Sequence, residues 1–266
     1  MSRNDEIEGL AEFVAGEHWH GGQVDPCYVA SGSGLTFSFG HYEDYFDGLL
    51  ECRAHRFHVY LNIDRHGSAY SARMRFSFAH ELGHFFLDWH RHALEHGIPA
   101  HGSCADFQSS LTIEHEADLF AANLLLPKDK LKAAAQRHID AAEIQRLAAL
   151  FGTSLSATAI RCALLDLSSL IVMGWTAQGR RWCWSSARYR PLGNKAFKNI
   201  SALVRDSNTW HALNSPYSTQ IAAPAKGTTL SAWFPAINAG SLHDDVLLEE
   251  CICLGRYGAL TILRAC

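Results

Sequence analysis

Two imidazoles one helical turn apart, with a carboxylate beside the first, stand in His80-Glu81-Leu82-Gly83-His84. On a helix, residues four apart share a face with Cβ atoms roughly 6 Å apart, so both rings can reach one Zn²⁺ at about 2.0–2.1 Å. Glu81 lies about 100° round the helix, where its carboxylate can hold a water on the metal without being a ligand. Zn²⁺ lowers the pKa of such a water from roughly 15.7 to about 7, which makes a nucleophile available at neutral pH. The chemistry implied is hydrolysis of a peptide bond with no covalent enzyme intermediate. Five-residue patterns arise by chance, the more so in a chain with 16 histidines. The flanks argue against chance: Phe76, Phe78, Ala79, Leu82, Phe85, Phe86 and Leu87 make the helix a buried one, with polar groups confined to 80, 81 and 84. Polar groups in a core need partners, and one metal satisfies both histidines.

Catalytic zinc usually takes three protein ligands and leaves one position for water. Two places compete for the third ligand. His90 stands ten residues after His80, as in the long metzincin pattern, but the turning glycine of that pattern is Leu87 here and the next glycine is Gly97. If the helix continues through Trp89, His90 lies about 240° round from His84 and points away. The other candidate is Glu114, at the start of a stretch whose apolar positions 117, 120, 121, 124 and 125 form a helical stripe ended by Pro127. Glu114 and Asp118 are four apart, so one carboxylate can bind the metal while the other accepts the free ring N–H of a ligand histidine. His115 is expected at the surface, and Glu116 reads as a solvated charge favoured by the helix dipole.

Arg75-Phe76-Ser77-Phe78-Ala79-His80-Glu81-Leu82-Gly83-His84, followed by Glu114-x-x-Ala117-Asp118-x-Phe120-Ala121-x-x-Leu124-Leu125-x-Pro127, resembles the ImmA/IrrE family of zinc metallopeptidases over roughly residues 55 to 165. The resemblance implies His80, His84 and Glu114 as the zinc ligands, Glu81 as the general base and Asp118 as an outer partner of a ligand, the arrangement of thermolysin-like gluzincins. It also implies a protein substrate, a DNA-binding transcriptional repressor, cleaved to switch on stress or mobile-element genes. Leu126 stands where the family often has methionine, a volume-conserving change. A repressor-type DNA-binding module, carried by many relatives at the N-terminus, is not recognisable in this sequence.

The elements that must position these residues follow from pattern. Asp5 to Trp19 reads as an amphipathic helix with Ile7, Leu10, Ala11, Val14 and Ala15 on one side, and Leu35–Phe39 and Phe57–Ile63 alternate as strands do. These strands are expected to form a small antiparallel sheet before the metal helix, able to hold an extended substrate by strand addition. Trp89 to Ser110, with His90, His92, His96 and His101, reads as a helix end followed by a loop. Tyr70 and these histidines are candidate oxyanion donors. Asp129 to Asp166 has a helix-turn-helix outline. Its Arg137, Arg146 and Arg161 are too few for a claim of DNA binding, so the helices read first as a buttress. From Ser168 onward, Leu170–Trp175, Gly179–Ser185, Leu247–Leu254 and Gly255–Leu263 read as strands joined by glycine turns.

The fold expected is therefore α+β: a zincin-like metallopeptidase domain over 1–128, a helix-turn-helix-like segment over 129–166, and a β-rich α+β domain over 167–266. By position and composition the last compares with the GAF-like sensory domain of the IrrE branch. A chain of 266 residues, 48% hydrophobic, has length for one to two domains, and a net charge of −4 argues against wrapping nucleic acid. No charged-then-apolar leader opens the sequence and no apolar run reaches about 18 residues, so a soluble cytoplasmic protein without membrane attachment is expected. Eight cysteines without a paired C-x-x-C read as reduced thiols. Cys251 and Cys253 share a strand face as buried side chains, and Cys104, between the two motifs, is a candidate to occupy the open metal position. The leading function is a zinc endopeptidase. Its rivals are a DNA-binding regulator using residues 141 to 165 and a partner-binding relative without hydrolysis, which would normally have lost the base or a ligand.

Overall fold

Ser2 accepts the backbone N–H of Asp5 while the Asp5 carboxylate takes that of Ser2, a reciprocal cap that starts α1 (Arg3–Glu17). The computed structural model describes residues 2–97, 112–192, 203–214, 222–235 and 245–266, and over them the fold is α+β. The chain divides into two compact units, Met1–Leu131 with Ala149–Ser154, and Lys132–Ala148 with Leu155–Cys266.

In the first unit α1 buries Ile7, Ala11, Val14 and Ala15, the apolar side read from the sequence. After the short pair β1 (Trp19–His20) and β2 (Gln23–Val24) comes α2 (Pro26–Gly32), capped by Asp25 with proline at its first position. Three strands follow: β3 (Thr36–Gly40), β4 (Gly48–Arg53) and β5 (Arg56–Asn62). β5 is central, antiparallel to β4 and parallel to β3. The expected antiparallel sheet is thus corrected to a mixed one. The reason is β4, which takes the hairpin position beside β5 and leaves β3 the far side, running with β5. Its hairpin turn, Ala54-His55, has φ of 47° and 59°, the left-handed pair of a two-residue reversal, without the Asn-Gly or Asp-Gly that marks such turns in a sequence.

After α3 (Ile63–His66), Ser71 caps α4 (Ala72–Phe86), which lies on the sheet with Phe78 against Phe37 at 5.1 Å and Phe85 against Phe57 at 5.3 Å between ring centroids. Arg75 donates from Nε to the Gly152 carbonyl at 3.0 Å and from Nη2 to the Val24 carbonyl at 2.6 Å, pinning α4 to β2 and to the 149–154 segment. Leu87, extended at φ −77° and ψ 106°, ends α4, and α5 (Asp88–Glu95) begins at once in a new direction. α6 (Thr112–Leu125) packs on α4 and α1. Leu50, Val59, Leu61, Phe78, Leu82 and Leu124 are among the fully covered side chains of this core.

α7 (Lys128–Ala134), α8 (Ala141–Phe151) and α9 (Leu155–Leu164) follow, and then the strands of the second unit. Among the three arginines weighed for DNA contact, Arg161 is buried and Arg146 is held by Glu143 and the Ala134 carbonyl, so they assemble no basic stripe. β6 (Leu170–Thr176), β7 (Gly179–Ser185), α10 (Asn208–Asn214), β8 (Ala222–Thr229), α11 (Leu230–Trp233), β9 (Val246–Cys253) and β10 (Ala259–Ala265) complete the order. The sheet is antiparallel throughout, in the order β7-β6-β10-β9-β8. Four of its strands overlap those expected from apolar runs between glycine turns, with Gly255–Tyr257 forming a 3-10 turn before β10; β8, interrupted by Pro224 and Gly227, carries no such run. Trp175, Tyr189, Trp233 and Phe234 fill its core, and buried Glu249 accepts the Asn208 and Thr209 N–H groups that start α10. Cys251 and Cys253 are both buried in β9. Among the described residues, no single helix is long and apolar enough to cross a membrane.

Candidate metal centre

α4 carries His80 and His84 on one face, and α6 brings Glu114 to them. His80 Nε2 lies 3.1 Å from His84 Nε2 and 3.2 Å from Glu114 Oε2, and His84 Nε2 lies 3.6 Å from Glu114 Oε1. A tetrahedral ion with bonds of about 2.0–2.2 Å requires donors about 3.3–3.6 Å apart, so this triangle needs only small adjustments to accept one. All three residues are buried, and among the described residues they form the one group whose donor atoms lie within 4.8 Å of each other.

Asp118, one turn after Glu114, accepts His80 Nδ1–H at 2.8 Å. That leaves a lone pair on His80 Nε2, aimed at the other two donor atoms. Lone pairs so close repel unless a cation or proton sits among them, and two borderline imidazoles with a hard carboxylate suit a divalent ion such as zinc. Burial alone would lower the His80 imidazole, but the hydrogen bonds of Asp118 and Glu114 and the charge of Glu81 outweigh it and raise it to about 10. The pocket is thus built for positive charge, which a dication supplies as well as a proton does.

Glu81 is buried beside the pair, outside the triangle. Its neighbour is Gly48, the first residue of β4: a Cβ there would stand 2.8 Å from Glu81 Oε1 and 3.0 Å from Cγ. The missing side chain therefore makes the room in which the carboxylate stands. Gly48→Ala keeps the backbone acceptable but pushes Glu81 aside. On the reading of Glu81 as the general base, the expected result is a folded protein with a somewhat lower melting point and wild-type metal content, whose hydrolysis falls on the order of 10²-fold, as for a misplaced catalytic group. Peptidase kinetics alongside a melting curve check it.

A second glycine lets the two ligand-bearing helices close on each other. At Gly83 a Cβ would meet Ala117 Cα and carbonyl O at 3.1 Å and Phe120 Cβ at 3.3 Å, so α6 approaches α4 over the one position without a side chain. This approach carries Glu114 and Asp118 to the histidines.

Two expectations are overturned. Glu116 is buried rather than solvated: it accepts from Arg3 Nε at 2.8 Å, Trp89 Nε1 at 2.7 Å and His90 Nε2 at 3.0 Å. Burial pushes its carboxyl up, but these donors outweigh that and hold it below the usual range. His90 does not point away, because α4 stops at Leu87 and α5 swings the ring back until its Nδ1 is 3.0 Å from His84 Nδ1. It meets the outer nitrogen of His84, away from the triangle. Burial lowers the His90 imidazole against the pull of Glu116. His115, His92 and His96 are exposed, and Tyr70 is 92% exposed. His101 and Cys104 lie outside the described residues. The roles of Gly48, Gly83, Glu116 and Arg3 had no local signal, since each depends on a distant element.

Residues 53–163 match the model of the IrrE N-terminal-like domain, Peptidase M78. This stretch of the chain is an ImmA/IrrE-type domain. Both motifs and every residue of the triangle fall within this ImmA/IrrE domain, whose relatives are usually zinc-dependent. No curated protein matches the chain significantly. Among solved structures, a Mycobacterium tuberculosis transcriptional regulator is similar at TM-score 0.62 and 13% identity, over 99% of this chain and 78% of that one. That similarity is one of fold.

Proposed function

We propose that this ImmA/IrrE protein is a cytoplasmic zinc endopeptidase that cleaves a DNA-binding repressor and so derepresses genes. The observation that carries the reading is the convergence of His80, His84 and Glu114 in a buried place, with Glu81 set beside them and outside the triangle. Zinc held there supplies a Lewis acid that acidifies water and polarises a carbonyl. His80, His84 and Glu114 hold the ion, and Asp118 fixes the tautomer and orientation of His80. Glu81 takes the proton from the attacking water and passes it to the leaving amine.

β4 guides the substrate. It pairs on one side with β5, and its first residue lies against Glu81, so a peptide added to its other edge would run past the base. Such recognition uses backbone groups and calls for an extended segment, such as a linker between the domains of a repressor. The β-rich second unit is proposed to sense a signal or recognise the substrate, in keeping with the regulatory name of the similar structure. All four chemical positions are present, which favours hydrolysis over binding alone, although the family includes non-catalytic members.

The test is metal analysis of the purified protein together with a comparison of DNA-binding regulators in cells carrying the wild type or Glu81→Gln. One zinc per chain and a regulator truncated only in wild-type cells are expected. Absence of metal after purification and zinc addition, or the same truncation in both strains, would overturn the proposal.

A further inference from the structure

His84 has two ring nitrogens, and the structure occupies the outer one with an unusual partner, a second histidine. Nδ1 of His84 faces Nδ1 of His90 at 3.0 Å, with ring centroids 4.9 Å apart. On its far side, His90 Nε2 lies 3.0 Å from Glu116 Oε2. Glu116 is in turn fixed by Arg3, which donates from Nε and Nη2 at 2.8 and 3.2 Å and stacks its guanidinium 3.4 Å over the Trp89 ring, and by Trp89 Nε1 at 2.7 Å.

The proton positions along this row follow from chemistry. A carboxylate gripped by three donor groups only accepts, so His90 Nε2 carries the hydrogen facing it. An imidazole that carries its hydrogen on Nε2 turns a bare Nδ1 to the other side, and that Nδ1 faces His84. A bare nitrogen accepts, so His84 must carry its hydrogen on Nδ1. Its Nε2 then presents a lone pair to His80 and Glu114.

We infer that His90 and Glu116 are positioning residues for the metal, locking His84 in the Nδ1–H tautomer and orientation that turn Nε2 towards the ion. Asp118 does the same for His80 with one carboxylate; His84 is served through an intervening imidazole anchored on Glu116 and Arg3. The inference rests on the reading of His80, His84 and Glu114 as metal ligands, but the tautomer it requires exists without any metal.

The experiment uses the whole chain with ¹⁵N-labelled histidine. Long-range ¹H–¹⁵N correlation on the metal-free protein reads the His84 tautomer, and chelator competition reads zinc affinity. Wild type is expected to show His84 as Nδ1–H. His90→Phe, which keeps a ring but removes the acceptor, is expected to mix the tautomers and weaken zinc about 10–100-fold, the range for lost ligand support. His90→Asn, whose amide oxygen stands near the position of Nδ1, is expected to recover most of both. If His90→Phe does not fold, Arg3→Ala, at a half-exposed position, serves instead and shifts both readouts the same way by a smaller factor. Nε2–H on His84 in the wild type, or zinc affinity unchanged in these variants, overturns the inference and leaves the ligand assignment standing. A wild type that shows the Nδ1–H tautomer yet takes up no zinc overturns the ligand reading itself, and with it the purpose assigned to His90.

Discussion

Glu81→Gln is expected to lower peptide hydrolysis by about 10²–10⁴-fold, the usual contribution of a positioned general base, with metal content unchanged. The amide has the size of the carboxylate and fits the space left by Gly48, so packing is preserved. It cannot take up a proton from water, so only the chemical step is removed. Because Glu81 lies outside the His80, His84 and Glu114 triangle, the substitution leaves all donor atoms in place. The measurement is kcat/KM on the identified substrate, with zinc per chain determined on the same preparation. A variant that holds zinc and cuts at the wild-type rate would remove Glu81 from the mechanism.

Gly83→Val is expected to act on the metal through the spacing of two helices. Even an alanine Cβ would stand 3.1 Å from the Ala117 backbone, where neighbours must yield, and valine adds two methyls directed at the same helix. Overpacking of this kind costs about 1–3 kcal/mol, and for a chain of this size each kcal/mol lowers Tm by roughly 2–4 °C. The shift is not confined to stability. α6 bears both Glu114 and Asp118, so moving it loosens one donor of the triangle and the partner of another at once. Zinc affinity should fall at least about 10–100-fold, the loss typical when ligand support is disturbed. Chelator competition, run well below the melting transition, checks this; affinity equal to wild type in a folded variant would show that α6 has room to spare.

The local features of the centre were legible in the chain. His80-Glu81-x-x-His84 and Glu114-x-x-x-Asp118 each encode their geometry within one or two helical turns, and the apolar stripes around them specify the helices that bring them together. What was not legible depends on partners far apart in sequence. Glu116 reads as a solvated charge until Arg3, 113 residues earlier, is found on it. The break at Leu87 carries neither glycine nor proline, so nothing local says that α5 turns His90 back towards His84. β4 is closed by an Ala54-His55 reversal without the residues that advertise one, and without β4 the sequence leaves the direction of β3 against β5 open. In the second unit, apolar runs between glycine turns reveal four strands, whereas β8, interrupted by Pro224 and Gly227, carries no such run.

The grip of Arg3 on Glu116 gives the first turn of α1 a reach well beyond its own helix. Loosening that turn would disturb a carboxylate that lies two hydrogen-bonded rings from the proposed metal position. Variants altered only at the start of α1 should then differ in how much zinc survives dialysis, although no altered atom lies near His80, His84 or Glu114.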